Sequence, residues 1–186
     1  MRILCAILCF AAGLCFPGPV APPGVEFDDL DGVPRHPLKP AEKLASVLIF
    51  YWHDCPICNS YAPEINRLCA AHTNCAFYIV QVDPDLTTAT ARDHARQFDL
   101  RPPVLLDHQH RLVKLAKATV TPQVFVLGRT GQVLYRGRID DLYVVLGKKR
   151  AVVTQHDLRD ALDAIVAGKP IQRRETEAVG CLIQSK

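Results

Sequence analysis

Ser46-Val-Leu-Ile-Phe-Tyr-Trp-His-Asp-Cys55-Pro-Ile-Cys58-Asn-Ser-Tyr-Ala-Pro63-Glu-Ile65 is an apolar run of strand length that feeds a Cys-x-x-Cys pair and passes at once into a helical pattern. Residues 47–52 are continuously apolar and rich in β-branched and aromatic side chains, as in a parallel strand buried on both faces. Beyond the pair, Tyr61, Ile65, Leu68, Cys69 and His72 keep the spacing of one helix face. Cys55 therefore falls at the helix N-cap and Pro56 just inside it, where a missing N–H costs nothing. Unpaired N–H groups and the positive end of the helix dipole favour a thiolate at that point. Cys58, one turn further in, is placed to attack a mixed disulfide on Cys55. The same spacing serves zinc, but a zinc site needs a second pair or Cys/His ligands at suitable spacing, and no second Cys-x-x-Cys exists.

The chain has 186 residues, enough for one domain with extensions, and its net charge of +3 carries no nucleic-acid or membrane signal. Met1-Arg2 and the apolar residues 3–16 read as a signal peptide over residues 1–21, too short to span a bilayer. Residues 22–42, rich in Pro, Gly and Asp, read as a linker with a short strand around 25–27. The domain proper is assigned to residues 43–170 and a C-terminal tail to 171–186. Within the domain the pattern predicts strands at 76–82, 104–107, 123–127 and 133–136, and helices at 89–98, 111–118 and 156–167. Export implies an oxidising compartment. Cys5, Cys9 and Cys15 lie in the leader, which leaves Cys55, Cys58, Cys69, Cys75 and Cys181, an odd number, in the mature chain.

From about residue 40 to 170 the chain resembles the thioredoxin-like superfamily. The resemblance rests on the strand before the Cys pair, Pro63 five residues after Cys58, and Thr121-Pro122 before another strand. Residues 103–107 and the helix after them are similar to the insertion of its redoxin branch, which groups TlpA/ResA-like and AhpC/TSA peroxiredoxin-like proteins. Tyr135-Arg-Gly-Arg-Ile-Asp-Asp141 and Ala178-Val-Gly-Cys-Leu-Ile183 look like a peroxiredoxin-like subgroup. The resemblance implies an α/β fold, a thioredoxin-like three-layer α/β/α sandwich with a central mixed sheet. It implies Cys55 and Cys58 as catalytic residues and a cis Pro122. It also implies a substrate-binding set of Thr121, Pro122, Trp52 and Pro56, on which an extended peptide adds along the Thr121 edge.

Two departures bear on chemistry. The buried acid six residues before the first cysteine in thioredoxin itself is replaced by Ile49, while His53 and Asp54 adjoin Cys55, so that His53 is the candidate proton relay. As the bland alternative, both are solvent-facing loop residues. The peroxiredoxin Pro-x-x-x-Thr-x-x-Cys signature is missing, with Leu48 and Trp52 at its Pro and Thr positions. The leading reading is an exported, extracytoplasmic thiol–disulfide oxidoreductase, free or tethered by an uncleaved leader. It is monomeric, needs no cofactor or metal, and acts on protein thiols or disulfides and an upstream redox partner. The alternatives are a thiol peroxidase and a copper carrier using Cys55 and Cys58 as soft ligands.

The remaining residues are read more plainly. Cys69 is expected in the core, with a Cys69–Cys75 disulfide as the alternative. The basic runs 148–150 and 173–174 read as solvated charge. Cys181 is expected to stand outside the exchange chemistry, because a Cys55–Cys58 ring needs no third thiol. The polar residues 172–177 before it bury little and are expected to be mobile unless 179–183 dock on the domain. The rival reading folds the tail back so that Cys181 resolves a disulfide or sulfenate on Cys55.

Overall fold

The computed structural model describes residues 25–184; the leader expected at 1–21, with its three cysteines, lies outside the described residues. Within the stretch read as linker, β1 (Phe27–Asp28) and β2 (Pro34–Arg35) pair as an antiparallel hairpin. Asp29 closes its turn by accepting the Asp31 and Val33 N–H groups, and it also binds Arg35. Phe27 and Leu38 are buried against the domain, so this segment belongs to the folded body.

Then follow β3 (Ala45–Tyr51), α1 (Pro56–Ala71), β4 (Cys75–Gln81), α2 (Thr88–Gln97), β5 (Val104–Leu106) and α3 (Arg111–Ala116). The second half contains β6 (Val120–Thr121), β7 (Gln123–Gly128), β8 (Val133–Gly137), β9 (Tyr143–Val145), β10 (Lys148–Lys149), α4 (Asp157–Val166) and β11 (Cys181–Leu182). The main sheet has the order β5-β4-β3-β7-β8; β3, β4 and β5 run parallel, while β7 is antiparallel to both β3 and β8.

All seven residues of β3 are buried, as its unbroken apolar run requires at the centre of a sheet covered on both faces. Its alternate side chains feed two cores. Val47, Ile49 and Tyr51 pack with Ile57, Tyr61, Ile65 and Leu68 of α1 and with Leu158 and Leu162 of α4. Leu48 and Phe50 pack with Leu112 and Val113 of α3 on the other face. Each such side chain, fully buried, contributes about 1.5–3 kcal/mol. This is the expected three-layer α/β/α sandwich on a mixed sheet.

Two caps set helix starts: Thr87 Oγ1 accepts the Thr90 N–H at α2, and Asp107 accepts the Arg111, Leu112 and Val113 N–H groups at α3. The residues 135–141 tie the sheet to the helices. Asp140 accepts the Tyr61 hydroxyl at 2.5 Å, and Asp141 accepts the Thr154 and Gln155 N–H groups. Lys148 and Lys149 are exposed as expected. Arg150 and Arg173, by contrast, reach the buried carboxylates of Asp141 and Asp157. Cys69 and Cys75 are separate free thiols, with Cys69 half-buried against the core, so the alternative disulfide does not form.

Candidate redox site

Cys55 is the N-cap of α1, in extended backbone, with Pro56 at the first helical position and no acidic residue in the first turn. No side chain caps this helix start, which leaves its N–H groups and dipole directed at the Cys55 sulfur. Cys58 lies one turn inside and is fully buried. Burial pushes its thiol up to about 12; hydrogen bonds from the Trp52 backbone and the Thr121 side chain pull the other way without offsetting it.

The loop before β7 closes the site. Thr121-Pro122 is cis, both residues are buried, and the Thr121 carbonyl oxygen lies 3.5 Å from Cys55 Sγ. Trp52 packs on both cores and Pro56 is exposed beside Cys55. Cys55, Cys58 and Thr121, which the sequence singled out, thus meet here, with Trp52 and Pro56 flanking Cys55 closely in the chain and Pro122 following Thr121.

The tail departs from expectation. Cys181 is disulfide-bonded to Cys55 across 126 residues, with Cα atoms 6.2 Å apart, and Cys58 is left as a free thiol. β11 pairs antiparallel with β6, placing Cys181 opposite Thr121 and Leu182 opposite Val120. The Ile183 N–H adds a bond to the Thr119 carbonyl at 2.9 Å, and the Thr121 hydroxyl donates to the Cys181 carbonyl at 3.4 Å.

Upstream, the polar run is held by its backbone rather than by apolar burial. Arg136 N–H donates to Arg174 O, and Thr176 N–H donates to Arg136 O, along the edge of β8. Thr176 Oγ1 accepts the Arg138 N–H at 3.0 Å and lies 2.7 Å from the Tyr135 hydroxyl. This close approach needs Gly137, whose φ is +140° and whose missing Cβ would overlap Thr176. With the tail seated in this way, Cys55 has no exposed surface.

His53 is neither a free loop residue nor tightly paired. Its side chain is 15% exposed, with Nδ1 3.5 Å from Asp83 Oδ2 and Nε2 3.3 Å from Asp54 Oδ1. Its ring meets edge-on a residue not singled out in the sequence, His94 of α2. Asn59 joins the two: its amide N–H donates to His53 O, and its oxygen accepts both the Tyr51 hydroxyl and His94 Nε2–H. Burial, then the neighbouring His53, hold the His94 pKa below the usual histidine value. The clue in the sequence was a lone histidine three residues after Ala91, the other buried position of an otherwise polar helix. Among the described residues, no group of three or more His, Cys, Asp or Glu side chains converges as metal ligands do.

The profile of the AhpC/TSA family matches residues 23–136, more than half of the chain. The chain belongs to the AhpC/TSA family. No curated protein matches this AhpC/TSA chain. Among solved structures it is similar to an uncharacterized conserved protein from Geobacillus kaustophilus, with 25% identity and a TM-score of 0.78 over 91% of this chain and 92% of that one. A hypothetical protein from Sinorhizobium meliloti is 23% identical over 94% of this chain and 97% of its own, with a TM-score of 0.73. A secreted Mycobacterium tuberculosis disulfide oxidoreductase homologous to E. coli DsbE is 18% identical over 75% of this chain and 95% of its own, at a TM-score of 0.56. These likenesses place the AhpC/TSA chain among the thioredoxin-like redoxins in fold. Among the described residues no helix is long and apolar enough to cross a membrane.

Proposed function

We propose that the chain is an exported thiol–disulfide oxidoreductase that exchanges disulfides through Cys55-Pro-Ile-Cys58. The observation that carries this reading is the division of labour between the two sulfurs. Cys55 stands at an uncapped helix start that stabilises a thiolate, and Cys58 is buried and held as a thiol one turn behind it. In the reductive direction, the Cys55 thiolate attacks one sulfur of a substrate disulfide and releases the other as a thiolate. Cys58 then gives up its proton and attacks Cys55 Sγ, which releases the second substrate thiol and leaves a Cys55–Cys58 disulfide. An upstream dithiol returns the two electrons, and the scheme runs backwards for an oxidant. His53 is the candidate to move protons at the mouth of the site, and Trp52, Pro56, Thr121 and Pro122 the candidates to hold a peptide there. The charged, apolar leader and a secreted structural relative support export.

The test is reduction of a fluorescent peptide disulfide. Cys55→Ser is expected to abolish it, and Cys58→Ser combined with Cys181→Ser, which leaves no second thiol at Cys55, to accumulate a mixed disulfide there; full turnover by that double variant would overturn the dithiol scheme. Thiol peroxidase chemistry is the second reading, favoured by family membership and by the Cys55–Cys181 bond, which places a resolving thiol on Cys55. Leu48 and Trp52 stand where the peroxide-orienting Pro and Thr would be, which puts exchange first. Peroxide consumption far above the rate of a free thiol would reverse that order.

A further inference from the structure

The proposed exchange scheme uses two cysteines, and the structure bonds one of them to a third. Cys181 reaches Cys55 on an extended segment that pairs with β6, and Gly180 lies flat against the loop. A Cβ at Gly180 would come within 2.0 Å of the Thr121 carbonyl oxygen and 3.1 Å of Pro122 N. Glycine is therefore what lets this segment lie close enough for Cys181 to bond. On its far side, Leu182, Ile183 and Gln184 meet Trp52, Val82 and Asp83 around a cleft of about 220 Å³. Leu182 itself is 71% exposed, while Cys181 and Ile183 are partly buried against the two cores, so apolar burial is only part of what holds the segment down.

We infer that the tail is the chain's own tethered substrate, seated on the β6 edge, and that Cys181 is a third redox-active cysteine whose release frees that edge. The inference rests on the dithiol reading, because Cys58 performs the step that frees the tail. Cys58 loses its proton and its sulfur bonds to Cys55 Sγ. The Cys55–Cys181 bond breaks, and Cys181 departs as a thiolate that takes up a proton. One disulfide is exchanged for another and no electron leaves the chain, so no outside oxidant or reductant is needed. With Cys181 free, a two-residue ladder, the Thr121 hydroxyl and the partly buried Ile183 hold the tail in place of a covalent bond, and the edge opens.

The experiment is disulfide mapping of the oxidised full-length chain, paired with rates for a fluorescent peptide disulfide of sequence Gly-Cys-Leu. The parent is expected to contain Cys55–Cys181 as its main bond, with some Cys55–Cys58. Cys58→Ser is expected to hold Cys55–Cys181 throughout. Gly180→Ala, which keeps all three cysteines, is expected to move the bond to Cys55–Cys58. Cys181→Ser is expected to show only Cys55–Cys58 and to reduce the peptide several-fold faster than the parent, since no tethered strand competes for the edge. Free Cys55 and Cys181 in oxidised Cys58→Ser, or a Gly180→Ala partition equal to the parent's, would overturn the inference. Raised exchange in Cys181→Ser without any Cys55–Cys181 in the parent would overturn the tail step alone. Loss of exchange in Cys181→Ser, with Cys55–Cys181 present in the parent, would overturn the dithiol reading and the Cys58 step that depends on it.

Discussion

β3 and β11 both bring chain to Cys55, and different forces hold them there. β3 is seven buried residues at the centre of the sheet, fixed by apolar packing on both faces before any cysteine chemistry is considered. β11 is two residues at an edge, one half-buried and one exposed, fixed by a ladder to β6 and a covalent bond. One strand is permanent and positions the helix tip; the other is attached by a bond that thiol exchange can break. A site that must present one thiol rigidly and still release a partner needs both kinds of attachment.

The largest effect that separates the two strands is on stability. Phe50→Ala in β3 removes a fully buried ring and is expected to cost about 3–5 kcal/mol in urea unfolding. Leu182→Ala in β11 is expected to stay within about 0.5 kcal/mol. Equal costs would make β11 a core strand and break the comparison.

The next effect sharpens it by pH. The Cys58 thiol is raised by burial to about 12, whereas an unfolded cysteine titrates near about 8.5. Below the unfolded value both states are protonated and the full stability is present. Above it only the unfolded state ionises, so stability falls until the pH passes the folded value, by up to about 1.4 kcal/mol per pH unit. The reduced parent is therefore expected to lose stability more steeply than Cys58→Ala between about pH 9 and pH 11. Parallel curves would mean that Cys58 is not held as a buried thiol.

A smaller effect probes the tail's non-covalent hold. Thr176→Val removes the acceptor of the Arg138 N–H and the partner of the Tyr135 hydroxyl. It is expected to cost about 1–2 kcal/mol and to hasten proteolysis within residues 171–180. Unchanged cleavage would place the tail's anchorage elsewhere.

The same contrast explains what the sequence disclosed. β3, the N-cap Cys55 and Pro56 are local features: an apolar run and a spacing at a helix start. Thr121-Pro122 was reached through family resemblance rather than by periodicity. β11 has no periodicity to read in two residues, and the tail's polar run is paired through its backbone, which composition does not reveal. The Cys55–Cys181 pairing stands in the sequence only as the rival reading, because connectivity does not follow from cysteine positions. His94 escaped because one buried histidine in a polar helix looks like surface. β1 and β2 hid in a Pro- and Gly-rich stretch whose turn is organised by the Asp29 side chain.

The central claim is that Cys55 is the attacking thiolate and Cys58 the shielded partner behind it. The direct measurement is timed alkylation of the fully reduced chain at about pH 6, where only a thiol of depressed pKa reacts appreciably, with mass mapping of each cysteine. Cys55 is expected to carry label well before Cys58, Cys69 and Cys75. Label appearing on Cys58 first would contradict the assignment.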